Sequence, residues 1–158
     1  MLSRPNRLVI FGSRGVDPVQ AIKFILRQHS YIMGTLLLST PAMSLPGLSS
    51  LDLVSGCCEG SPDQVPYILR ALTQARACDF SPKLTDVIHE FPVTKEDWHR
   101  YGRGAGPRRN TAMADFSDFG IAVYNGKSRG THDMIVKLVK RRKPVAIIDS
   151  VTGAVSFC

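Results

Sequence analysis

The stretch FGIAVYNGKSRGTHDMIVKLVKRRKPVAIID, residues 119–149, decides the fold. Phe119 to Tyr124 is a short apolar run that reads as a buried strand. A glycine-bearing turn follows, NGKSRGT from Asn125 to Thr131, and THDMIVKLVKRRK then reads as an amphipathic helix. PVAIID, from Pro144 to Asp149, is a second apolar strand. Strand, turn, helix and strand in that order is the unit of a parallel sheet, because two parallel strands need a crossover between them.

Upstream, the same alternation recurs. RLVIFGS, residues 7–13, is a buried strand that ends in Gly12. Asp17 can cap a helix with Pro18 in its first turn, running to about Gln28 with Ala21, Ile22, Ile25 and Leu26 inward. LDLVSG, residues 51–56, is the next strand. Ser61 and Pro62 then open a helix that runs past Tyr67 and Leu69 towards Ala75. DVIHEFPV, residues 86–93, suggests a third strand, and RRNTAMADFSD, residues 108–118, a short helix. The chain therefore reads as one α/β domain over residues 1–158, a mostly parallel sheet with helices on both faces.

In such sheets ligands bind outside the carboxyl ends of the strands. Four glycine-bearing turns follow or flank strands: GSRG at 12–15, SGCCEG at 55–60, GRGAGPRRN at 102–110 and NGKSRGT at 125–131. With parallel strands, the first, second and fourth converge on one edge of the sheet. Glycine lets backbone approach a ligand closely, and a helix start aims unpaired N–H groups at an anion. Arginine adds a planar fork that holds phosphate by two hydrogen bonds. The turns thus point to a cleft for a phosphorylated small molecule.

Each candidate has a plainer structural use. Arg109 and Asn110 read as phosphate or ribose contacts, or as a surface arginine and a helix cap; Arg108 is the weaker candidate and reads as solvent-facing. Gly130 and Thr131 can bind phosphate through backbone N–H groups and the Thr131 hydroxyl, or Thr131 simply caps the helix. Arg14 meets the ligand or forms a structural ion pair. Asp63 binds ribose hydroxyls or stabilises the start of a helix. Trp98 and Tyr101 stack on a base or anchor the core. Cys57 is either activated at a helix start or merely small in a crowded turn.

Composition narrows the partners. Hydrophobic residues make up 44% and charged residues 21% of the chain, as in an ordinary folded domain. The net charge of +7 favours an anionic partner. The densest basic run, Lys137 to Lys143, lies at the end of a helix, where cations complement the helix dipole, so nucleic acid is a weak expectation. The four cysteines form no CxxC pair and no Cys/His cluster at ligand spacing, so neither a metal nor a cofactor is expected. They fit a reducing cytoplasm better than a secreted framework. The apolar segment from Tyr31 to Leu53 is interrupted by Gly34, Pro41, Pro46 and Gly47, which argues against a membrane span. Near Leu36 to Leu38 a buried strand or helix end is expected, and the 34–50 segment reads as a lid or an interface.

These motifs, taken together, resemble the SLOG superfamily, named for the Smf/DNA-processing and Lonely Guy proteins. They are closest to its small stand-alone YpsA-related family of bacteria and phages. That family's GSR is matched by Gly12, Ser13 and Arg14, and its GGARGAD-like turn loosely by Ser55, Gly56, Cys57, Cys58, Glu59, Gly60, Ser61, Pro62 and Asp63. Its DW…YG.AAGP.RN segment is matched by Asp97, Trp98, Tyr101, Gly102, Gly104, Ala105, Gly106, Pro107, Arg109 and Asn110, with Met113 and Asp118 following. Gly126, Ser128, Arg129, Gly130 and Thr131 match its G.SRGT turn. The resemblance covers nearly the whole chain and implies a modified Rossmann-like fold that binds nucleotides, nucleotide sugars or NAD-derived signals. Some relatives sense such signals in defence systems, and others hydrolyse the N-glycosidic bond of nucleoside monophosphates. Homo-oligomers are common among them.

Two departures bear on function. Cys57, Cys58 and Glu59 stand where the family carries small residues and an arginine, and Met134 stands where Lonely Guy enzymes carry the glutamate held to be catalytic. The expectation is therefore a protein that senses or sequesters an ADP-ribose-type, NAD-type or cyclic nucleotide signal. A nucleotide N-glycosidase is the alternative, with Glu59, Asp63 or Asp133 as its acid, and a nucleic-acid binder is a further one.

Overall fold

β1 (Asn6–Gly12) is the strand around which the sheet assembles. Its apolar residues alternate strictly, as a pleated strand covered on both sides requires. Leu8 and Ile10 enter the core on one face, while Val9 and Phe11 enter the core on the other. In the computed structural model, which describes residues 4–40 and 50–158, β1 pairs in parallel with both β2 (Leu51–Ser55) and β4 (Phe119–Tyr124). β3 (Leu84–Glu90) extends the sheet beyond β2, and β5 (Val145–Asp149) and β6 (Val155–Phe157) extend it beyond β4. The strand order is β3-β2-β1-β4-β5-β6, with only β6 antiparallel.

The chain thus runs outward from β1 to β3, returns to the centre, and runs outward again on the other side. That reversal between β1 and β4 leaves a crevice at the carboxyl edge, since the flanking connections leave in opposite directions.

α1 (Pro18–Arg27), α2 (His29–Leu38) and α3 (Val65–Gln74) cover one face. Asp17 caps α1 by accepting the Val19 N–H at 3.1 Å. Ser61 accepts the Asp63 N–H at 3.2 Å and opens a single 3-10 turn, Pro62–Gln64, that runs into α3. α5 (Ala105–Phe116) and α6 (Arg129–Lys140) cover the other face through Met113, Ala114, Met134, Ile135 and Leu138. Each large side chain buried this way contributes about 1.5–3 kcal/mol relative to exposure. Asp118 ties the start of β1 to the start of β4, accepting the Arg7 N–H and both Arg4 guanidinium donors at 2.8 Å.

The structure decides one local reading between its two expected forms and revises others. The segment near Leu36–Leu38 is the end of α2, and residues 41–49 of the expected lid or interface lie outside the described residues. The short helix expected from Arg108 begins at Ala105, with Gly106 and Pro107 in its first turn, where an N–H has no partner to lose. Asn110 is therefore inside α5 and caps nothing. α4 (Lys95–Tyr101) was not anticipated, although a capping box marks it: Asp97 N–H donates to Thr94 Oγ1 at 3.1 Å and Thr94 N–H to Asp97 at 2.9 Å. No helix among the described residues is long and apolar enough to cross a membrane.

Gly12 ends β1 at a point with no spare room. A Cβ there would press on the Val123 carbonyl oxygen and stand 2.5 Å from Pro62 Cγ. Gly12→Ala is expected to cost about 1–3 kcal/mol of stability, the usual penalty of overpacking. Urea denaturation checks this, and an unchanged midpoint would show that the β1–β4 junction yields.

Candidate functional site

The carboxyl edge of the sheet opens into a cleft of about 920 Å³. The turns after β1, β2 and β4 and the start of α5 all reach it, because parallel strands deliver their carboxyl ends to one side. Gly12, Arg14, Gly56, Asp63, Arg109, Asn110, Ser128, Arg129, Gly130, Thr131 and Asp133 line it together.

At the start of α6 the backbone is shaped by side chains of the turn itself. Asn125 Oδ1 accepts the N–H groups of Lys127 and Ser128, both at 2.9 Å, and Gly126 takes a φ of +78° between them. Ser128, not Thr131, caps the helix. It accepts the Thr131 N–H at 3.4 Å and the Thr131 hydroxyl at 3.1 Å. The N–H groups of Arg129 and Gly130 have no carbonyl four residues back within the helix and are left for a ligand. Ser13 anchors this turn from below: its buried Oγ accepts the Asn125 N–H at 3.2 Å and lies 3.4 Å from Thr131 Oγ1.

The β2 side is built as tightly. Buried Ser55 donates to the Asp63 carbonyl at 2.6 Å and accepts the Cys57 N–H at 3.0 Å, so it holds the turn and does not line the cleft. Cys57 itself takes a left-handed φ of 62°, unusual for a residue with a side chain. A Cβ on Gly56 would stand 2.6 Å from Asp63 Oδ2 and 2.7 Å from Arg109 Nη1. Only glycine lets those two side chains approach here.

Arg109 is largely committed to the protein. Its Nη1 donates to the carbonyls of Gly56 and, at 3.2 Å, Phe91, and its Nε donates to Asn110 Oδ1 at 3.1 Å. Asn110 in turn donates to the Gly130 carbonyl at 3.2 Å and to Asp133 Oδ2 at 3.0 Å. Lys137 donates to the same Asp133 oxygen at 2.8 Å and to the Pro107 carbonyl at 2.7 Å. Asp133 therefore clamps α5 to α6. Arg108 leaves the cleft and packs its guanidinium 3.9 Å from the centre of the Tyr101 ring.

Four other cations line the cleft without such commitments. Arg14, Arg103, Lys127 and Arg129 are exposed, and their side chains form no hydrogen bond or ion pair among the described residues. Lys127, Arg103 and Asn125 were not among the residues picked from sequence. Asn125 had a visible signal, since Asn before Gly is a strong turn former. Arg103 had none, because its place depends on α4.

Of the three candidate acids, Glu59 is exposed and lies outside the cleft. Met134 lines the cleft as a buried apolar side chain. Asp63 lies in the cleft and is only 5% exposed. Burial pushes its carboxyl above the usual carboxylate range, against the opposing pull of Arg109, the N–H groups of Cys58 and Gly12, and Arg14. Among the described residues, no three His, Cys, Asp or Glu side chains gather as a metal-binding group. Compared with protein-family models, with curated proteins and with solved structures, the chain matches none.

A carboxyl whose pKa is raised in the folded state is stabilising while it keeps its proton. Asp63 thus contributes fully below its ordinary value of 3.8 and loses that contribution as pH rises through the raised folded value. Asp63→Asn cannot ionise, so its stability relative to the parent protein is expected to rise over that window. Urea denaturation across a pH series checks this, and parallel curves would mean that the carboxyl is solvated.

Proposed function

We propose that this chain binds a phosphorylated, nucleotide-derived small molecule and acts as a sensor or sequestering protein. The ligand is of the ADP-ribose, NAD or cyclic nucleotide kind. One observation carries the reading: four cations without partners among the described residues converge with a helix start on a single concave cleft. Exposed cations and oriented N–H groups around one concavity match a phosphate better than any neutral ligand. The cleft's volume falls in the range of about 300–1,000 Å³ that holds drug-sized molecules, so it accommodates far more than a bare phosphate. Membership of the SLOG superfamily is part of the same proposal, supported by the motif order and by the convergence of those motifs on the cleft.

The arrangement would work by division of labour. Arg109, Asn110 and Asp133 hold the walls, and Arg14, Arg129 and the α6 N–H groups meet the phosphate. A concave site also concentrates charge on a small ligand, whereas a duplex would need a basic surface it could lie along. The N-glycosidase reading keeps one supporting observation, the buried Asp63 in the cleft, whose carboxyl burial pushes above the usual range in the direction a general acid needs.

Incubating excess protein with AMP, ADP-ribose, NAD and cyclic ADP-ribose isomers, then releasing the bound fraction by heat, separates these readings by mass spectrometry. A nucleotide depleted from solution and returned intact is the expected outcome. Free base with ribose phosphate would establish an enzyme instead. Arg14→Ala and Arg129→Ala are each expected to weaken binding by about 1.5–3 kcal/mol, the value of a charged hydrogen bond, with an unchanged Tm. Calorimetry checks this, and intact affinity in both variants would place the phosphate elsewhere.

A further inference from the structure

Among the described residues, α4 is the one α-helix with no buried residue, yet it forms a wall of the cleft. The side chain it contributes is Trp98, which is 49% exposed. A tryptophan that serves the core buries its large apolar body, and Trp98 does not. Its position is nevertheless fixed, because the Thr94–Asp97 capping box sets where α4 begins. Pro92 and Val93 line the cleft with it and add no charge. The cleft is therefore divided, with an apolar part at Trp98 and a cationic part at the start of α6. A nucleotide is divided the same way, into a flat base and an anionic phosphate.

We infer that Trp98, with Pro92 and Val93, forms a nucleobase subsite in which the indole stacks on the base of the ligand. This rests on the nucleotide-binding reading above and says which group of the ligand the apolar wall selects. Stacking on an indole tolerates any base, because every base presents a π face. Selectivity between bases then falls to polar groups at its edge, of which Arg103 is the nearest in sequence.

Trp98 is the only tryptophan of the chain, so its fluorescence reports on this subsite alone. The probes are ADP and inorganic pyrophosphate, which share a diphosphate and differ by adenosine. ADP is expected to bind more tightly than pyrophosphate and to change the Trp98 emission saturably, while pyrophosphate leaves it unchanged. Trp98→Ala is expected to lower ADP affinity about 5- to 150-fold, the loss of one stacked base, without altering pyrophosphate binding. Trp98→Phe should recover most of that loss. ADP binding with unchanged emission, or with full affinity in Trp98→Ala, would overturn the subsite and leave the binding reading standing. Emission that responds to protein concentration and not to ADP would also overturn it, making Trp98 a contact between copies. Binding of neither probe would overturn both the subsite and the reading beneath it.

Discussion

The Arg109 guanidinium holds together parts of the molecule that the sheet alone leaves apart. From α5 it reaches the carbonyl after β2 and the carbonyl after β3, while its Nε fixes Asn110, which grips α6. Two backbone carbonyls at a strand edge are costly to bury without donors, and a single planar cation satisfies both. The missing side chain of Gly56 is what admits it. Asp63, brought close by the same gap, takes the consequence: it is buried in a site whose cation is mostly spoken for, and burial pushes its carboxyl above the usual range.

That arrangement explains which cations remain for a ligand. An arginine held by carbonyls gives rigidity and little spare hydrogen-bonding capacity. Arg14, Arg103, Lys127 and Arg129 have the opposite character, since they are exposed and their side chains hold nothing else among the described residues. Ordering such long side chains costs conformational entropy, so they stay free unless an anion repays that cost. The α6 start is the reverse case. Asn125, Ser128 and Ser13 fix its backbone beforehand, and an anion arriving there finds donors already aimed.

The sheet was legible because its strands are short apolar runs separated by glycine turns, and parallel pairing leaves few other solutions. The convergence of the turns after β1, β2 and β4 followed from that topology. What escaped the sequence depends on contacts between distant residues. Arg109 reads as a phosphate contact or a surface arginine until α5 is placed against the ends of β2 and β3. Asp133 reads as a free acid until Asn110 and Lys137 meet it. Ser13 and Ser55 match the motifs yet work beneath the surface of the cleft. α4 had a local signal in Thr94 and Asp97, but its lack of a buried face hid it from any reading based on apolar periodicity. β6 is only three residues long and has no room for a pattern.

The carboxylates weigh against turnover. Cleavage of an N-glycosidic bond builds positive charge on the ribose, and an ionised carboxylate beside it would be the direct way to stabilise that charge. Glu59 is outside the cleft, and Met134 brings no charge. Asp133 has one oxygen already shared between Asn110 and Lys137, and the lysine cancels its field. Asp63 is deep enough, but burial favours its neutral form, which can donate a proton and cannot stabilise a cation. On the proposed reading the cleft has groups to meet an anion, while none of its carboxylates is both exposed to the ligand and free of burial or partners. This set of residues accords with the proposed retention of an intact nucleotide better than with its cleavage.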